Sequence, residues 1–241
     1  MIRFTIFGVA VEVQPFFWVT TALLGGAISA RTPETILAMV LFMVAAFVSI
    51  LIHELGHALT GLKLGGGAAR IELVAFGGLA YSLGGRFDRS GNFWRIFAGP
   101  GAGFAFLLAI IAMLSAIFGF QDVRDFTAWI LFGVKPGFGM DSALVEYLVD
   151  KKYVFDLIRH LLSINFWWGI INLLPVMPLD GGQIANLFVV PQRRVHLIGL
   201  VTAAATAALA FIWLESPYYM GILFGFLAWK NYEAMQESRW R

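Results

Sequence analysis

The sequence predicts an all-α membrane protein of about six transmembrane helices, with a short β-hairpin between two of them and a β-like segment at the N-terminus. Three observations carry that prediction. Of 241 residues, 59% are hydrophobic and 13% charged, where a soluble domain carries about 25% charged residues. Mean hydropathy is +0.79. The apolar residues gather into runs near 16–30, 36–62, 93–118, 154–174, 197–214 and 217–230, and a helical span needs about 20. The lipid bilayer is therefore the expected surroundings.

Composition also narrows function. A net charge of +2 gives no reason to expect a nucleic-acid partner. The absence of cysteine removes disulfides and thiolate ligands, so a metal site has to come from His, Asp and Glu. No internal repeat, low-complexity tract or linker interrupts the chain, and residues 1–241 read as one membrane-embedded domain.

At the N-terminus, Ile2, Phe4 and Ile6 alternate with Arg3, Thr5 and Phe7, and Glu12 and Pro15 follow. With no continuous apolar run, this does not read as a cleaved signal peptide. It is expected to lie as a short strand pair at the membrane surface. Between Arg70 and Gly85, the run from Ile71 to Tyr81 is too short to cross as a helix and is rich in β-branched residues and glycine, the pattern of a hairpin. The stretch 154–190 is too long for one span and is broken by Pro175 and Pro178. Broken backbone at membrane depth survives only when buried in protein or lining a wet cavity.

Basic residues orient the spans. With a cytoplasmic N-terminus, the inner segments hold Arg3, Lys63, Arg70, Arg86, Arg89, Arg95, Arg193, Arg194, Lys230, Arg239 and Arg241. The outer ones hold Arg31, Arg124, Lys135, Lys151 and Lys152, among Asp122, Asp125, Asp141, Glu146 and Asp150. Positive charge concentrates on the cytoplasmic side of membrane proteins, so both termini are expected there.

The chemistry starts inside the second span, at His53-Glu54-Leu55-Gly56-His57. Helix positions four apart share a face, so both imidazoles can bind one zinc ion. Glu54 is close enough to take a proton from water activated by that metal. Three ionisable groups in one turn of an apolar helix are costly without a partner.

A catalytic zinc site needs a third protein ligand and an open position. Asp180 is the best candidate: it follows Pro175 and Pro178, which free the backbone, and precedes Gly181 and Gly182, which permit close approach. Depth agrees. His57 lies about 9 Å before Lys63 along a helix, and Asp180 at most about 20 Å before Arg193, which puts the three ligands together in the cytoplasmic half of the bilayer. His160 falls near the outer end of the fourth span and His196 reads as a solvated flank. Glu72 and Asp156 are the fallback carboxylates.

The His53–His57 motif, taken with the run from Asn172 through Pro175 and Pro178 to Asp180-Gly181-Gly182, resembles the motif pair of the site-2 protease family, intramembrane zinc metalloproteases. Phe97-Ala98-Gly99-Pro100 and Gly77-Gly78 resemble further family elements. The resemblance implies one zinc ion held by His53, His57 and Asp180, with Glu54 as general base. It places Asn172 beside the active site, assisting substrate or oxyanion binding. It makes the hairpin ending at Gly77-Gly78 a membrane-re-entrant element that pairs with an unwound substrate. An exposed edge near Leu73–Phe76 would hold that segment by main-chain hydrogen bonds; the equal alternative is a hairpin that only plugs the cavity. The implied partner is a single-span membrane protein cut within the bilayer, and the implied location a prokaryotic cell membrane crossed several times. Two features depart from the pattern: Gly103 stands where relatives often have Asn, and no room remains for a PDZ or CBS domain.

Other readings compete. A protease that clips prenylated proteins would share the first motif but not Asp180-Gly181-Gly182. A metal-ion transporter could use the three ligands but would not need Glu54. An inactive protease-like scaffold would have lost a ligand or the base, and here none is missing.

Overall fold

A computed structural model describes residues 1–75, 77–135, 142–213 and 218–237. Phe76, Asp141 and the terminal arginines Arg239 and Arg241, which enter the readings above, lie outside the described residues. The chain divides into two compact units, one of residues 1–91 and 98–169, the other of 92–97 and 170–241.

The first unit opens with β1 (Ile2–Ile6) and β2 (Val9–Val13), the expected strand pair. Their turn places Phe7 at φ 50° and Gly8 at φ 77°. Alternation works as in any half-buried strand: Val9, Val11 and Val13 are buried, while Glu12 points outward to Arg3 and Arg70. The expected hairpin forms as β3 (Ala68–Val74) and β4 (Gly77–Leu83). Both pairs belong to a single four-stranded sheet, in the order β1-β2-β3-β4. The junction is a parallel pairing of β2 with β3 that sets Val11 opposite Ile71 and Val13 opposite Leu73. Strand β3 is therefore interior, and the free edge nearest the hairpin turn is β4 rather than the Leu73 side expected from the sequence.

Helix α1 (Pro15–Leu24) leads into α2 (Pro33–Gly65). The start of α2 is written locally: Thr32 and Thr35 close a capping box, Pro33 occupies the first turn, and Glu34 complements the helix dipole. Lys63 sits in the last turn and Gly66, at φ 69°, ends the helix. Its 33 residues span about 50 Å at 1.5 Å each, more than the ~30 Å hydrocarbon layer. The buried face of the sheet packs on α1 and α2 through Phe17, Ile50, Leu51, Leu55, Ile71 and Leu73.

Helix α3 (Arg89–Phe118) is capped by Asp88, which accepts a 2.6 Å hydrogen bond from the Gly91 amide. Pro100 lies within it. Two helices follow that the sequence did not suggest, α4 (Phe120–Phe132) and α5 (Ala143–Asp150). Both are short and amphipathic, and they bury Val123, Phe126, Leu144 and Leu148 against α3 and α6 (Lys152–Asn172).

The second unit holds α7 (Asp180–Phe188), α8 (Gln192–Trp213) and α9 (Tyr218–Glu237). Val176, Ala203, Phe224, Leu227 and Ala228 form its core.

Among the described residues, three helices are long and apolar enough to cross a membrane: α2, α3 and α8, the last over Gln192–Ile212. The chain is an integral membrane protein. Of the other expected spans, α1 has only ten residues. Helix α6 carries Lys152, Asp156 and Arg159, and α9 carries Lys230, Glu233 and Glu237.

Candidate metal centre

The second half of α2 carries His53, Glu54 and His57, all buried. One turn of helix separates the two imidazoles, as the spacing predicts. Their Nε2 atoms lie 3.2 Å apart, with ring centroids 4.8 Å apart and planes at 80°. Two imidazole nitrogens bound to one tetrahedral zinc at about 2.0–2.1 Å stand about 3.3 Å from each other. The observed spacing fits that requirement without rearrangement.

The neighbouring backbone has made room. A Cβ at Gly99 on α3 would overlap the His57 ring. A Cβ at Gly56 would overlap the Ala98 carbonyl and stand 2.8 Å from Ala102. Gly56 and Gly99 thus let α2 and α3 approach with backbone against backbone, the use that membrane helices make of small residues. Four residues on from Gly99, a Cβ at Gly103 would meet the Asn165 side chain at 3.7 Å, with no crowding. One turn before His53, Ser49 accepts a 2.8 Å hydrogen bond from Asn165 Nδ2, both residues being buried.

Glu54 lies under the start of β4. A Cβ at Gly78 would come within 2.6 Å of the Glu54 carboxyl. Gly77, at φ 137°, faces the Trp168 ring, which a Cβ there would meet at 3.0 Å. The hairpin therefore begins β4 with two glycines because its backbone runs against the Glu54 carboxyl on one side and the Trp168 indole on the other.

Asp180 opens α7 and is buried together with Gly181 and Gly182. A side chain at Gly181 would overlap the Leu173 carbonyl, and one at Gly182 would meet Val176 at 2.5 Å. These glycines let the proline-broken run fold tightly over the start of α7. Asp180 is thus a helix-opening residue rather than an isolated turn. Asn172, the last residue of α6, is also buried.

Among the described residues, His53, His57 and Asp180 make up one group able to hold a metal ion, their donor atoms all within 4.8 Å of one another. Two imidazoles and a carboxylate are a donor set that suits zinc. The fallback carboxylates are engaged elsewhere: Glu72 pairs with Arg70 at 2.7 Å, and Asp156 with Lys152 at 3.0 Å. His160 packs edge-on against Phe42. His196 is half-buried and faces Asn231 at 3.5 Å, not the solvated flank expected. Asn165 and Asn231 were missed in the sequence, although an amide side chain in an apolar helix is a polar group that needs a partner.

Comparison with known proteins gives consistent matches. Rip3 of Mycobacterium tuberculosis, named as a zinc metalloprotease, is 28% identical over 203 residues, covering 80% of this chain. The chain spans only 44% of the length of Rip3. Stage IV sporulation protein FB of Bacillus subtilis is 27% identical over 244 residues, covering 95% of this chain and 67% of that protein. The solved structure of the site-2 protease from Methanocaldococcus jannaschii has the same fold, with a TM-score of 0.51 at 20% identity over 96% of this chain and 94% of that one. The family model described as peptidase family M50 matches residues 41–214, from within α2 through α8. A match of that extent covers both halves of the motif pair, and on it the chain belongs to peptidase family M50, the site-2 protease family that its motifs resemble.

Proposed function

We propose that this chain is an intramembrane zinc metalloendopeptidase that hydrolyses a peptide bond in or near the transmembrane segment of membrane-protein substrates. The observation that carries the reading is the group of two imidazoles and one carboxylate, with donor atoms within 4.8 Å, beside a buried Glu54 that is not one of the three. A transporter would have no use for that fourth group.

When bound, zinc would supply a Lewis acid for the scissile carbonyl and lower the pKa of water towards about 7. His53, His57 and Asp180 would hold it. Glu54 accepts the proton of the attacking water at its carboxylate and passes it to the leaving amine, a transfer worth typically 10²–10⁴-fold. Burial of all four side chains keeps bulk water from competing with these groups. Asn172, buried at the end of α6, would assist substrate or oxyanion binding.

A helical substrate shields its peptide bonds, so the segment has to unwind locally before cleavage. Strand β4, the free edge beside Gly77 and Gly78, offers main-chain hydrogen bonds to an extended segment. The substrate class is a single-span membrane protein, and both termini of the protease face the cytoplasm of a prokaryotic cell. Co-expression with candidate single-span proteins tests the reading: fragments should appear with the wild type and vanish with Glu54→Gln. Fragments that persist in that variant would remove the assignment.

A further inference from the structure

The run between α6 and α7 has to satisfy its backbone without helix or sheet. Val176 N–H donates to the Leu174 carbonyl at 2.7 Å, and Leu179 N–H to the Val176 carbonyl at 2.8 Å. Two carbonyls of the run are taken by side chains. Gln183 Nε2 donates to the Pro178 carbonyl at 3.1 Å from within α7. Asn231 Nδ2 donates to the Met177 carbonyl at 2.8 Å from α9, fifty-four residues away in sequence.

Asn231 is built into this position. It is 1% exposed, and the same amide donates to the Leu227 carbonyl at 2.9 Å, which orients the side chain on its own helix. Its Oδ1 faces His196 Nδ1 at 3.5 Å. A Cβ at Gly199 on α8 would overlap the Asn231 amide, so α8 leaves that space open for it. An amide buried in an apolar helix pair is costly unless its hydrogen bonds are made. Here both donor bonds are made, and one holds a carbonyl three residues before Asp180.

We infer that Asn231 is a positioning residue for Asp180: from α9 it clamps the Met177 carbonyl and thereby fixes the loop that presents this carboxylate. The inference rests on the reading of Asp180 as a metal ligand. It gives α9 a part in the site although it contributes no donor atom. Groups that orient ligands from outside the coordination shell are worth typically 10–100-fold in metal affinity or activity.

The test uses the full chain in detergent, with Asn231→Leu, Gly199→Ala and, as a packing control, Phe224→Leu in the same α8–α9 core. Amide hydrogen exchange is followed at Val176 and Leu179 in metal-free protein, and zinc release to a chelator after loading with a zinc salt. Asn231→Leu should raise exchange of both amides about tenfold or more and speed zinc release about 10–100-fold. Gly199→Ala, which displaces the amide without altering it, should do the same more weakly and serves if Asn231→Leu does not fold. Phe224→Leu should lower the melting temperature and leave both readouts near wild type. Unchanged exchange in both test variants overturns the clamp, as does equal loosening by Phe224→Leu. Faster exchange with unchanged zinc release overturns the link to Asp180. A wild-type protein that takes up no zinc would instead remove the metal reading, and exchange alone would then decide the clamp.

Discussion

Gly78 opens onto Glu54: a Cβ at position 78 would stand 2.6 Å from the Oε1 of Glu54. No residue larger than glycine fits there without moving the carboxylate. Gly78→Ala should therefore lower cleavage roughly 10²-fold, the scale of an ~1 Å misplacement of a reacting group, while zinc content stays at the wild-type ratio. Metal analysis and a cleavage assay on one preparation check this. Wild-type turnover would show that Glu54 and the hairpin tolerate displacement.

Glu54→Gln preserves shape and removes the proton acceptor. Zinc should remain bound and cleavage should fall about 10²–10⁴-fold. A variant that cuts at the wild-type rate would remove the protease assignment in the form proposed above.

Asp180→Ala should abolish activity and lower zinc content, with the protein still folded in detergent because its helices do not depend on the metal. Circular dichroism and zinc analysis separate the two effects. Retention of one tightly held zinc would assign the third ligand elsewhere.

Gly99 and Gly103 lie one turn apart on α3 and should respond in opposite ways. A methyl group at 99 would overlap the His57 ring, so Gly99→Ala should weaken zinc binding. A methyl group at 103 would meet the Asn165 Oδ1 at an ordinary 3.7 Å, and Gly103→Ala should keep zinc and add up to about 1 kcal/mol of helix stability. Thermal unfolding and zinc titration of the two variants decide it; equal loss of metal in both would argue against the contact at His57.

Reporter fusions after Lys135 and at the C-terminus should report opposite sides of the membrane, following the distribution of Lys and Arg. Both reporters on one side would remove the proposed orientation.

What the sequence determined by itself was local or additive. Capping of α2 by Thr32 and Pro33, its end at Gly66, and the shared face of His53 and His57 all follow from contacts within one or two helical turns. The membrane setting follows from summed hydropathy, and needs no knowledge of which residue meets which. Helices α4 and α5 were illegible because their charged residues mask short apolar faces that matter only once α3 and α6 are there to cover them.

The tertiary structure decided the rest. Pairing of Val11 with Ile71 makes one sheet of two hairpins and turns β4 into its edge. The nearness of Gly78 to Glu54 and the bond from Asn231 to Met177 likewise join residues 24 and 54 positions apart. Asp180 comes within 4.8 Å of two histidines more than a hundred residues earlier. Such contacts cannot be read from periodicity, because many apolar helices satisfy the bilayer equally well. Close packing of glycines, buried amides and prolines selects which surfaces meet.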